Sequence, residues 1–141
     1  MEKEKRTLKF SEIFGFGAGG MFTYGFQLMI TGYYLLYYMT DIAGFSTVLA
    51  ASLYSTIQII KMVTMLFSGV IIDAINFRSG KYRTWVLVSG IGLGLFFPLS
   101  FFYYPLPQSI YVVVFMIIYT LQTLFYNVGW TAMRAVIGKV A

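Results

Sequence analysis

A single ammonium group, that of Lys61, lies near the middle of an apolar run from about Thr47 to Ile72. It stands about 11 to 14 residues from either end, roughly 16 to 21 Å at helical rise. A lysine side chain cannot snorkel comfortably that far. Leaving the charge in lipid would cost at least ~2.5 kcal/mol, so its position predicts a polar passage or an opposing acid beside it. Further along stand Gly69-Val-Ile-Ile-Asp73 and, past a short loop, Gly80-Lys81-Tyr82-Arg83-Thr84-Trp85. A third polar group, Gln122, Thr123, Tyr126, Asn127, Trp130 and Thr131, falls late in the last apolar run and is followed by Arg134 and Lys139.

The elements that must hold these groups are membrane helices. Of 141 residues 59% are hydrophobic and 11% charged, where soluble domains carry about 25% charged residues. An apolar run of about 20 residues crosses a bilayer. Four such runs are predicted, at about 13–40, 47–72, 84–104 and 109–133. The fold class is therefore an all-α membrane protein with four transmembrane helices and the lipid bilayer as its surroundings. The first run is too long for the core of a cleavable signal peptide and is taken as a retained helix. Ser11 with Glu12, Ser46 and Ser109 are placed to cap helices. The glycines at 15, 19, 25 and 32, and those at 90, 92 and 94, suit close helix approach. Tyr33, Tyr34, Tyr37 and Tyr38 suit an aromatic belt, and Pro98 a kink. Lysine and arginine cluster in the N-terminal lead, the 73–83 loop and the C-terminal tail, and are missing from the other two loops. By the positive-inside rule, both termini of this multi-pass cell-membrane chain are expected in the cytoplasm.

Other classes fit poorly. There is no histidine and no cysteine, so the commonest metal and general-base chemistry lacks its ligands, and no metal or cofactor is expected. No nucleophile–base pair suggests an enzyme. The basic residues flank apolar runs instead of forming a patch with exposed aromatics, which argues against nucleic acid. Gly15-Phe-Gly17-Ala-Gly19-Gly20 fits a dinucleotide pattern, but no strand precedes it and it lies inside a predicted span.

The chain resembles the N-terminal part of the glycoside–pentoside–hexuronide cation symporters, the melibiose-permease-like branch of the major facilitator superfamily. The matching segments are Gly15-Phe-Gly17, then Tyr34-Leu-Leu-Tyr-Tyr-Met-Thr-Asp41-Ile-Ala-Gly44-Phe-Ser46, Gly69-Val-Ile-Ile-Asp73 and Gly80-Lys81-Tyr-Arg83-Thr-Trp85. Asn127-Val-Gly-Trp130-Thr-Ala looks like the family's Asn/Asp-(Val/Ile)-Pro-aromatic stretch without its proline. The likeness runs from about Phe10 to Met133 and is most specific in the central hairpin. It implies a twelve-helix fold of two six-helix bundles rocking about a midplane site, of which this chain would be the first four helices. It further implies that Gly69, Asp73, Gly80, Lys81 and Arg83 form a conformational latch. Gly69 would admit a neighbouring helix, and Asp73 would meet a helix N-terminus or a base such as Arg83.

The departures bear on coupling. The family's symporters usually place two carboxylates four residues apart on the second helix; here those positions are Lys61 and Met65. The first helix offers no acid between Glu12 and Asp41, and Asn127 stands where an acid is frequent. The expectation is a sugar or glycoside transporter whose sodium site is lost, Lys61 taking the cation's place, with transport uncoupled from sodium or coupled to protons. Gln27, Asn127, Trp130 and Thr131 would read the solute, amides on hydroxyls and the indole face on a sugar ring. A hexuronide would also suit Lys61. Two other readings remain open: a four-helix exporter working as a dimer, and a non-transporting membrane fragment or interaction protein.

Overall fold

In the computed structural model, residues 25–75 and 80–140 are described, with residues 10, 14, 17 and 18. The expected start of the first helix near Ile13, its Ser11–Glu12 cap and the glycines at 15 and 19 lie outside the described residues.

The described residues form helices and turns. The first helix, α1 (26–42), alternates between α-helical turns at Phe26–Met29 and Leu35–Tyr37 and wider π-helical turns at Ile30–Tyr34 and Tyr38–Ile42. Its buried positions are Gln27, Thr31, Leu35, Tyr38 and Met39, and all but Tyr38 fall on a stripe spaced by four. Because an α-helix turns once per 3.6 residues, a four-residue spacing drifts around it. The wide turns take up that drift and keep the stripe on one face.

α2 (Thr47–Ala74) starts at Ser46, whose Oγ accepts from Leu49 N at 3.3 Å. Gly44, at φ 69°, turns the chain into it. α3 (Lys81–Ser100) starts directly after Gly80, at φ 102°. It ends short of the expected Tyr104, because Pro98 sits in its last turn and Phe101 leaves the helical region at φ −109°, ψ 12°. α4 (Gln108–Val140) begins where the Pro107 carbonyl accepts from Ile110 N and Tyr111 N, so Ser109 lies inside the first turn and does not cap it.

Among the described residues, α2, α3 and the 108–136 part of α4 are each long and apolar enough to cross a membrane. α4 is the central element, packed along both α2 and α3. Two apolar clusters form at opposite ends. The larger, at the aromatic end, gathers Leu35, Tyr38, Met39, Phe45, Ile57, Tyr111, Phe115 and Tyr119. The smaller, at the charged end, gathers Ile72, Trp85, Val128 and Ala132.

Among the described residues, the close approaches belong to two glycines. A Cβ on Gly92 would enter the Phe125 ring, and one on Gly129 would lie 2.7 Å from Ser89 Cβ. Both are at the α3–α4 contact. Gly25, Gly32, Gly69, Gly90 and Gly94 have open space instead, so the expected close packing at those positions is not found among the described residues. Small residues permit contact, but which of them face a neighbour depends on helix phase.

Candidate functional site

Between the two apolar clusters, α2 and α4 meet along a polar seam. Asn127, buried on α4, donates from Nδ2 to the Lys61 carbonyl at 3.0 Å and to Thr64 Oγ1 at 2.7 Å. Thr64 Oγ1 in turn donates to the Ile60 carbonyl at 2.8 Å. A little further on, Ser68 Oγ donates to the Met65 carbonyl at 2.7 Å and lies 2.8 Å from Thr131 Oγ1. With the serine proton committed, the threonine is the donor of that second bond. In hydrocarbon such pairings satisfy polar groups that water cannot reach.

Lys61 turns toward this seam. Its Nζ lies over the Tyr126 ring, 5.7 Å from the centroid. The cation therefore rests on the negative face of an aromatic ring of α4. Four residues on, Trp130 carries a second cation: the Arg134 guanidinium lies 4.7 Å from its ring centroid. Past the seam, toward the charged end, a groove of ≈510 Å³ opens between the two helices, lined by Met62, Met65, Leu66, Gly69, Trp130 and Arg134, with Ser68 and Thr131.

Of the five residues expected to read a solute, Lys61, Asn127, Trp130 and Thr131 come together on the α2–α4 seam and groove. Asn127 and Thr131 are there as ties between helices, their bonds to α2 already made. Trp130 presents an indole to the groove, but Arg134 covers one part of it. Gln27 is buried on α1, on the stripe it shares with Thr31, which accepts from Tyr119 Oη at 3.3 Å. Among the described residues no hydrogen bond links Gln27 to Lys61, Asn127 or Thr131.

The hairpin residues meet in part. Lys81 Nζ donates to Asp73 Oδ1 at 2.7 Å, joining the end of α2 to the first turn of α3. Arg83 is exposed, and the base found on Asp73 is Lys81. Gly80 supplies the positive φ that the turn needs. Gly69 lines the groove with open space before it and, among the described residues, no helix against it.

Tyr126, Thr64, Ser68 and Arg134 were not singled out as site residues from sequence. The signal was present in the spacing. Lys61, Met65 and Gly69 lie four apart on α2, and Tyr126, Trp130 and Arg134 four apart on α4, so each set shares a face.

Span-length apolar helices around a seam of amides, hydroxyls and cations define a multi-pass membrane protein. Residues 15–141 match the family model described as MFS/sugar transport protein, and the chain belongs to that family, one of transport proteins rather than enzymes. It is 30% identical over 126 residues to the "Putative glycoside/cation symporter YagG" of Escherichia coli strain K12, across 87% of this chain and 27% of that protein. It is 28% identical over 94 residues to the "Glucuronide carrier protein homolog" of the same strain, across 67% of this chain and 20% of that protein. The "Uncharacterized symporter YnaJ" of Bacillus subtilis strain 168 is 35% identical over 54 residues, 38% of this chain and 12% of that protein. The chain thus spans about a quarter or less of the length of these relatives. No solved structure matches it at a comparable level.

Proposed function

We propose that this chain forms the first helices of a secondary transporter of sugars or glycosides that works by alternating access, with Lys61 in the solute path. The observation that carries this is the placement of the ammonium: it lies over the Tyr126 ring of α4, beside the α2–α4 seam. Membership of a sugar-transport family supplies the class of solute.

In this reading Lys61 stands where a coupling cation would otherwise sit, and the symport of sodium is lost. The only acid on α2 is Asp73, at its end, and α3 and α4 contain none. A hard cation needs oxygen ligands, several of them charged. Trp130 and Thr131 border the bound solute, while Asn127 holds the two helices at the spacing the solute requires. Gln27 would join from α1 in a state that brings its face toward the seam. The Asp73–Lys81 pair, with Gly69, Gly80 and Arg83, is the latch of the cytoplasmic side, both termini of the chain lying on that side.

The test uses the native reading frame that contains this chain, reconstituted in vesicles. Eight further helices after Ala141 are expected; a stop codon there would favour a fragment or a four-helix dimer. Uptake of a labelled glycoside is expected without sodium and lost in Lys61→Ala. Sodium-dependent uptake, or unchanged uptake in Lys61→Ala, would overturn the role given to Lys61.

A further inference from the structure

We propose that Arg134, resting on Trp130 at the charged end of the α2–α4 groove, is a second anion-binding station that selects carboxylate-bearing solutes over neutral ones. The inference rests on the transport reading above and concerns a residue which that reading leaves unused.

The geometry is a pair of facing stripes. On α2, Lys61, Met65 and Gly69 follow one another at intervals of four; on α4, Tyr126, Trp130 and Arg134 do the same. One cation lies on the first aromatic ring of the α4 stripe, and the other lies on the second. The two rings, Tyr126 and Trp130, are four residues apart in the sequence, which sets the two charges roughly 6 Å apart along α4. Beside Arg134 the groove is apolar, with Met65, Leu66 and open space before Gly69. Its ≈510 Å³ falls within the range of about 300–1,000 Å³ usual for small-molecule sites.

The groove is also one-sided in charge. The chain's five acids are at positions 2, 4, 12, 41 and 73. The only one of these on α2, α3 or α4 is Asp73, which is held by Lys81 beyond the groove. Neither Lys61 nor Arg134 is supplied with a carboxylate by these helices. A cation at the edge of a low-dielectric cleft, with a second in the adjoining seam, raises the local concentration of anions. A guanidinium also presents a planar fork that fits a carboxylate in two-point contact, which the ammonium of Lys61 does not. A solute with a sugar ring and one carboxylate fits this site: its ring over the apolar floor and its carboxylate on Arg134, with Lys61 in the seam beyond the groove. Arg134 then receives the anion as the solute moves toward the charged end.

The experiment measures uptake of labelled methyl β-D-glucuronide and methyl β-D-glucoside by the native reading frame in phosphatidylcholine vesicles. Wild type is expected to take up both. Arg134→Gln is expected to raise KM for the glucuronide about tenfold or more, the loss of one charge-assisted contact, with KM for the glucoside and both kcat values little changed. Arg134→Lys should fall between. If Arg134→Gln fails to accumulate, Arg134→Lys carries the comparison: a selective rise for the glucuronide supports the proposal and an equal change for both solutes overturns it. An effect seen only in vesicles containing phosphatidylglycerol would assign Arg134 to lipid headgroups and overturn it too. Wild type that carries the glucoside and not the glucuronide overturns this inference and leaves the transport reading intact. Wild type that carries neither overturns the transport reading, and the inference with it.

Discussion

The two ends of the α2–α4 contact solve the problem of polar groups in a membrane in opposite ways. At the aromatic end, Tyr38 Oη donates to the Phe102 carbonyl at 3.0 Å and lies 2.7 Å from Tyr111 Oη, so α1, the α3–α4 loop and α4 are tied at one point. Rings close around it: Phe101 edge-on at 5.3 Å and Phe115 stacked at 6.2 Å. Toward the charged end, the cations Lys61 and Arg134 rest on rings with no carboxylate partner from the three long helices, and a groove opens beside Arg134. One end spends its polar groups on holding helices together. The other keeps charge available for something that is not part of these helices.

The sharpest way to break this contrast is to reverse the charge that the seam encloses. Lys61→Glu would set a carboxylate against the negative face of Tyr126 in a low-dielectric site. A charge mis-paired at this depth costs at least ~2.5 kcal/mol. Transport by the native reading frame, followed as glycoside uptake in vesicles, is therefore expected to fall by about a hundredfold. Tyr38→Phe, at the other end, should lower uptake by less than about tenfold, its two lost bonds together being worth ~1.2 kcal/mol in membrane helices. Equal losses in the two variants would show that the ends do not differ in the way described.

Next in size is the α3–α4 contact. Gly129→Ala puts a methyl 2.7 Å from Ser89 Cβ, an overpacking that costs typically 1–3 kcal/mol. Gly69→Ala meets nothing within 4 Å. The first should lower the thermal midpoint in detergent clearly and the second hardly at all. A destabilised Gly69→Ala would mean that a helix outside the described residues packs there, as the resemblance first suggested.

Much of this architecture can be read from the chain alone, and the boundary has a physical cause. Helices this apolar have few alternatives in a bilayer, so the class follows from composition. Lys61 was legible because a central charge is costly wherever its helix points. Its neighbours were not, because the ties from Asn127 to Lys61 and Thr64, and from Thr131 to Ser68, join residues more than sixty positions apart. Their pairing depends on the rotation of two helices about their axes. The same holds for glycine: the glycines on α1, α2 and α3 looked equivalent, and among the described ones only Gly92 faces a neighbour, while the second contact glycine, Gly129, appeared merely as a missing proline. The π turns of α1 leave no plain mark in sequence, since they arise from keeping Gln27, Thr31, Leu35 and Met39 on one face.

Asn127 tests whether the seam is a tie or a reading head. Asn127→Leu keeps the side chain's bulk and removes both donations to α2. Two membrane hydrogen bonds of this kind together amount to about 1 kcal/mol, so the thermal midpoint should drop modestly. If Asn127 only holds the helices, glucoside and glucuronide uptake will change in proportion. A KM that rises for every glycoside while the midpoint stays put would instead make Asn127 a direct solute contact.

The smallest effect on stability is expected at the Asp73–Lys81 pair, and for that reason it is the most diagnostic of a latch. The Asp73 side chain is 75% exposed and that of Lys81 26%. A pair this open to water contributes about 0–1 kcal/mol, and less as salt screens it. Asp73→Asn should therefore leave the thermal midpoint nearly unchanged. A latch does not need to stabilise the fold; it needs to differ between two conformations, and a coupling of 1–3 kcal/mol is typical of such differences. If the pair is made in one state of the transport cycle and broken in the other, Asp73→Asn will change the uptake rate about tenfold while the midpoint holds. Accessibility of a cysteine placed at Leu66 in the groove should change with it. If rate and midpoint both stay within error, the pair only sets the turn between α2 and α3, a task for which Gly80 at positive φ already suffices.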